Sequence, residues 1–325
     1  MIRAAIVGLG WWGRNLVDSV RDSQQIRFTT AHTRTAETVA EYCRERGLHW
    51  IGDLDAVLRD PAIDAVVYAT PHTQHTAQVM RAAQAGKAVF VEKPLALSTV
   101  DAYAAAEVAR DAGVVLAVGY NRRFHPSMAL LRRAVRDQRL GTLVTLSAEQ
   151  TALHGLEYAQ DAWRAQSEEA PGGAMTASGV HLVDGMIDLA GRVASVYARV
   201  TRRAAQHSDD TTDILLTFEN GASGHIFCSV VAAPNYRMAV YGTEGLAEII
   251  GHPMQTFRFV AATGGAPQVT ETPGFNMLAA ELEAFAASVE SNQPFPTPIE
   301  QVLHGVEVFE AVVLSARIGE TVRLL

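Results

Sequence analysis

The chain has 325 residues, 48% of them hydrophobic and 19% charged, with a formal net charge of −8. That length suits two domains of ordinary soluble protein, and the acidic balance argues against nucleic acid or an anionic membrane held on a broad basic surface. Cys43 and Cys228 stand far apart without ligand spacing, which suggests neither a disulfide framework nor a zinc site and makes a reducing cytoplasm the expectation.

In chain order, residues 2–7 read as a strand that runs straight into Gly8-Leu9-Gly10-Trp11-Trp12-Gly13, so no signal peptide is expected. Residues 12–21 follow with Leu16, Val17 and Val20 on one helical face. Strand, GxGxxG and helix in this order form a dinucleotide fingerprint. Gly8 permits the tight turn, Gly10 lets the backbone approach a pyrophosphate, and Gly13 lets helix and strand pack closely. The helix N-terminus then offers free N–H groups to the phosphates. Leu9, Trp11 and Trp12 belong to the same loop, and the two indoles are expected to pack against the second domain or to cover the cofactor.

A second strand, 26–31, ends at His32-Thr33-Arg34-Thr35. About 20 residues beyond the last glycine, an NAD-specific fold places an acid on the ribose 2′-hydroxyl. Here that position reads Thr33-Arg34, a hydroxyl and a guanidinium that suit a 2′-phosphate, so NADP is expected over NAD. A helix over 35–46 closes at Gly47, and a short one covers 54–59. A buried strand, 65–69, ends in Thr70-Pro71-His72-Thr73-Gln74-His75 and leads into a helix reaching Gly86. His72 and His75 lack a third ligand, so no metal is expected.

Next comes Ala88-Val89-Phe90-Val91-Glu92-Lys93-Pro94-Leu95, an apolar strand that ends in an acid, a base and a proline. Strand ends of this kind line the ligand crevice of open parallel sheets. A helix over 99–112 and a strand over 114–118 complete a doubly wound α/β domain, residues 1–120. Residues 121–325 change style. A helix at 127–138 precedes strands at 142–150, 193–203, 213–218, 222–232, 237–241 and 246–250, with helices at 174–190, 277–290 and 298–318. Asn220-Gly221 marks a hairpin. This is an α+β domain with a largely antiparallel sheet, and its broad face is expected to form a homodimer or homotetramer.

With Gly8 to Gly13, Thr70-Pro71, Ala85-Gly86-Lys87, Glu92-Lys93-Pro94, Asn121-Arg122-Arg123-Phe124, Trp163-Arg164, Gly172-Gly173 and His181-Leu182-Val183-Asp184 in order, the chain resembles the Gfo/Idh/MocA oxidoreductase family along essentially its whole length. The resemblance implies a small-molecule substrate and reversible oxidation of a secondary alcohol on a sugar or cyclitol. It also implies that Lys93 touches both the nicotinamide side and the reacting hydroxyl, that its bond to Pro94 is often cis, and that His181 exchanges the hydroxyl proton. By the same resemblance Thr70, His72, His75 and Glu92 line the cofactor, while Tyr120, Arg123, Trp163 and Arg164 face the substrate cleft. An imidazole with a pKa near neutrality suits proton removal, and an ammonium suits stabilising the oxygen; the two roles are exchangeable.

One departure stands out. The family usually carries Asp four residues before this His, and here that position is Ala177. Thr176 or Asp184 are the candidates to orient the imidazole instead. The loss keeps a second reading open, a non-catalytic NADP-binding sensor; oxidation of a cyclic dihydrodiol is a third. The arginines Arg122, Arg123 and Arg164 mark either an anionic substrate or ion pairs.

Overall fold

The computed structural model describes residues 1–324 and divides into two units, Met1–Asn121 with Asn276–Leu303 and Arg122–Phe275 with His304–Leu325. In the first, six strands form one parallel sheet: β1 (Ile2–Val7), β2 (Ile26–His32), β3 (His49–Trp50), β4 (Ala65–Tyr68), β5 (Ala88–Glu92) and β6 (Leu116–Gly119). Their order is β3-β2-β1-β4-β5-β6. Every residue of β4 and β5 is buried, as expected of strands covered on both faces. The helices α1 (Trp11–Ser19), α2 (Ala40–Arg46), α3 (Leu54–Arg59), α4 (His75–Gln84) and α5 (Thr99–Asp111) connect them. The chain direction across the sheet reverses between β1 and β4, the position where α/β folds of this type bind ligands.

Two expectations change here. Helix α2 begins only at Ala40, because residues 35–39 turn before the helix starts. The stretch from Asn276 does not continue the second domain. Its helix α8 (Met277–Ser291) buries Leu282, Phe285 and Ala286 in the first unit, in contact with α1, β1 and β2. The first 121 residues otherwise follow the expected boundary.

The second unit is built on nine strands: β7 (Leu143–Thr151), β8 (Val193–Thr201), β9 (Thr211–Phe218), β10 (Ser223–Ser229), β11 (Asn235–Gly242), β12 (Gly245–Ile250), β13 (Thr256–Ala261), β14 (Gln268–Glu271) and β15 (Val322–Arg323). The order is β14-β13-β12-β11-β7-β10-β9-β8-β15. All neighbours are antiparallel except β7 and β10, which run parallel. Asn220-Gly221 makes the β9–β10 hairpin, with Gly221 at φ +88°. The helices of this unit are α6 (Pro126–Arg136) and α7 (Val180–Ala190); the division between units falls within α9 (Ile299–Ile318). Along β8, β9 and β10 burial alternates: Val196, Ile214, Leu216 and Ile226 lie inside, whereas Tyr197, Leu215 and Phe227 are exposed. Among the described residues, no helix is long and apolar enough to cross a membrane.

Candidate active site

The turn after β1 is fixed by close approach. Gly8 adopts φ +94°, and a Cβ there would lie 2.4 Å from the Ala69 carbonyl oxygen. A Cβ on Gly13 would lie 2.0 Å from the Gly8 carbonyl oxygen, so α1 can seat against β1 only with glycine at that position. Gly10 is the opposite case, with nothing within 4 Å of its missing Cβ. It caps α1 without a side-chain hydrogen bond, and the first turn carries no acid. Open space in front of uncapped N–H groups at a helix start fits a pyrophosphate. The cradle therefore suits a dinucleotide.

Arg14, which the sequence did not single out, braces this loop. Its guanidinium donates to the Leu9 carbonyl at 3.3 Å and to the Thr38 carbonyl at 3.1 Å. Leu9 itself is buried, whereas Trp11 is 73% exposed, its ring 5.5 Å from that of Trp12. Thr33 and Arg34 follow the C-terminal end of β2, with Arg34 exposed, and the Trp50 indole donates to the Thr33 carbonyl at 3.3 Å.

At the end of β4 the Thr70 hydroxyl donates to Gln78 of α4 at 2.6 Å, a partner not visible in the sequence. Pro71 caps a short 3₁₀ turn that holds His72, which is buried and meets the His75 ring edge-on at 5.7 Å. His75 is fully buried, its ring 2.8 Å from the Pro94 carbonyl and 3.1 Å from that of Thr70, so it ties the β4 turn to the β5 turn.

The β5 turn carries Glu92, Lys93 and Pro94. The Lys93–Pro94 peptide is cis, and the Lys93 backbone N–H donates to Glu92 Oε2 at 3.3 Å. The sequence holds two lysines, Lys87 and Lys93. Lys87 is occupied, its amine donating to the carbonyls of Asp60 and Ile63 at 2.7 Å each. Lys93 is half-buried at the C-terminal edge of the sheet beside the strand-order reversal. Tyr120, expected to face substrate, is buried just beyond β6.

In the second unit, a π-helical turn, Met175–Gly179, runs directly into α7 and places the buried His181 in its first turn. Both candidates for the missing carboxylate make contacts of their own. The Thr176 hydroxyl donates to the Pro171 carbonyl, and Asp184 is gripped by Arg123. Arg123 forms the ion pair that the sequence left open beside a substrate role: its Nε and Nη2 lie 2.8 and 2.7 Å from the two Asp184 oxygens, and its Nη1 lies 3.1 Å from Asp188, all of them buried or nearly so. Arg122 is different. It donates to Gln150 and stacks 5.1 Å above the Tyr236 ring, and burial lowers its pKa to about 10. Trp163 and Arg164 share a short 3₁₀ turn, the exposed guanidinium lying 4.1 Å over the indole.

A fingerprint cradle at the reversal of a β3-β2-β1-β4-β5-β6 sheet defines a dinucleotide-binding domain. Residues 2–120 match the oxidoreductase family with an NAD-binding Rossmann fold, and residues 128–248 match the GFO/IDH/MocA C-terminal domain. The chain is 31% identical to scyllo-inositol 2-dehydrogenase (NAD(+)) of Bacillus subtilis, over 99% of this chain and 96% of that one. It is 28% identical to trans-1,2-dihydrobenzene-1,2-diol dehydrogenase of Sus scrofa, over 61% of this chain and 58% of that one. A levoglucosan dehydrogenase solved with NADH and levoglucosan shares the fold, with a TM-score of 0.90, 20% identity and 99% of each chain covered. The chain belongs to the Gfo/Idh/MocA family of oxidoreductases.

Proposed function

We propose that the protein is an NADP-dependent dehydrogenase or reductase that interconverts a secondary alcohol and a ketone on a sugar, cyclitol or related compound. The observation that carries this reading is the place of Lys93, on the turn before Pro94 at the C-terminal edge of the same sheet that carries the dinucleotide cradle. A bound nicotinamide would accept or return the hydride. His181 takes the hydroxyl proton as the carbinol carbon loses hydride, and Lys93 donates a hydrogen bond to the oxygen on which charge develops. In the reverse direction the same imidazole returns the proton. The B. subtilis relative's activity on an inositol supports the substrate class, and its NAD(+) dependence makes the cofactor preference the finer point to test. The exposed Arg34, without a neighbouring acid at the β2 end, supports NADP.

The test is steady-state absorbance of reduced nicotinamide with a panel of polyols and keto-sugars, a cyclic dihydrodiol included. Turnover by wild type that is lost in Lys93→Ala is expected. Turnover with the dihydrodiol alone would transfer the reading to the activity of the S. scrofa relative. Ala177, with Thr176 and Asp184 both engaged elsewhere, favours a second reading, a cofactor-binding sensor. A wild type that binds NADPH tightly, turns nothing over and retains a protein partner would establish that reading instead.

A further inference from the structure

Helix α8 carries a carboxyl group in the core of the first unit. Glu281 has no solvent exposure, and neither of its carboxyl oxygens meets a hydrogen-bond partner among the described residues. One turn further on, Phe285 packs edge-on against Phe90 of β5, ring centroids 5.7 Å apart. Residues four apart share a face of a helix, and residues two apart share a face of a strand. Glu92 thus shares a face of β5 with Phe90 and Glu281 shares a face of α8 with Phe285, and the charge of Glu92 acts on Glu281. Glu92 is held from its other sides. Its carboxyl lies against Gly119 of β6, where a Cβ would come within 2.9 Å of Oε1, and its Oε2 accepts from the Lys93 backbone N–H.

Two ionised carboxylates cannot share a dry core without a cation, and one of the pair must keep a proton. Glu92 is the one charged group that acts on Glu281; no cation of α1, β1 or β2 does so among the described residues. Burial first, and the Glu92 charge second, raise the Glu281 pKa well above the ordinary carboxyl value. Glu281 is the acid and Glu92 the acceptor.

We propose that Glu281 is a positioning residue for the Lys93 turn, a neutral carboxylic acid whose O–H donates to Glu92 and so fixes the carboxylate that accepts from the Lys93 backbone. The inference rests on the reading of Lys93 as the donor to the reacting oxygen. As pH rises and Glu281 loses its proton, the two carboxylates repel, the Lys93 turn loosens and turnover falls on the alkaline side.

The test uses the full chain with Glu281→Gln, which keeps a donor of the same shape, and Glu281→Leu, which removes it. Expected for Glu281→Gln are a kcat within about threefold of wild type and loss of the alkaline fall. Expected for Glu281→Leu is a kcat lower by about tenfold or more, with cofactor Kd within about threefold. Two readouts need no turnover. A protonated-carboxyl infrared band is expected at neutral pH, absent in Glu281→Gln and shifted in Glu92→Gln. Lys93 lies on the turn that Glu92 holds, so its labelling rate by an amine reagent, read by mass spectrometry, is expected to change severalfold in Glu281→Leu and little in Glu281→Gln. An inert wild type would remove the dehydrogenase reading while these two readouts still judge the pair. Absence of the infrared band, or Lys93 labelling and turnover in Glu281→Leu equal to wild type, would overturn the proposal.

Discussion

At the scale of single residues, chemistry here is decided by what each polar group already holds. Lys87 is spent on two carbonyls, which anchor its amine inside the first unit. Arg34 has an exposed guanidinium at the end of β2, and replacing a charged hydrogen-bond donor to a phosphate costs about 1.5–3 kcal/mol. Titration of Arg34→Ala by fluorescence is expected to weaken NADP(H) roughly ten- to a hundredfold and NAD(H) by less than about threefold; equal losses would remove the 2′-phosphate argument. Glu281 allows a stability prediction whose sign is fixed. Its folded pKa lies above the unfolded value of about 4.3, so the native chain holds the extra proton and loses stability as pH rises toward the folded pKa. Glu281→Gln is therefore expected to raise the thermal midpoint at pH 8 and to change it little at pH 4, a comparison that differential scanning calorimetry makes directly.

At the scale of elements, the sequence revealed those whose ends differ in chemistry from their middles. β1 runs into glycines, β5 ends in Glu-Lys-Pro, and the β9–β10 hairpin carries Asn-Gly, so each was legible from local residues. β14 was not, because all four of its residues are exposed and no alternation of apolar and polar side chains marks it. The π-helical turn before His181 was read as plain helix, since a shift of hydrogen-bond register leaves the apolar pattern intact. The ion pair of Arg123 could not be singled out for a related reason: its partners lie 61 and 65 residues away, beyond the reach of any local pattern. That pair now yields its own expectation. Arg123→Met leaves Asp184 and Asp188 buried without their guanidinium and should lower stability by about 3–5 kcal/mol, seen as a fall in the urea midpoint. A variant of full stability that raises only the substrate KM would restore Arg123 to the substrate. In the cradle, Gly13→Ala drives a Cβ into the Gly8 carbonyl, and loss of nucleotide binding is expected by equilibrium dialysis.

At the scale of the whole molecule, composition and strand order established the α/β class, whereas the assignment of Asn276–Leu303 to the first unit required coordinates. A linear reading cannot see a chain return. The exposed face of the nine-stranded sheet, with Tyr197 directly opposite Leu215 and Phe227 on the next strand, is the surface proposed for self-association. Light scattering is expected to give a multiple of 35.0 kDa, and Leu215→Glu to shift it toward the single chain; a monomeric wild type would contradict that proposal. Above all stands the claim that the molecule moves hydride between nicotinamide and a carbinol with Lys93 beneath the oxygen. Anaerobic stopped-flow of bound NADPH against a keto-sugar panel tests it most directly. The account predicts rapid loss of nicotinamide absorbance with at least one ketone in wild type and none in Lys93→Ala; tight NADPH binding with no exchange for any member of the panel would contradict it.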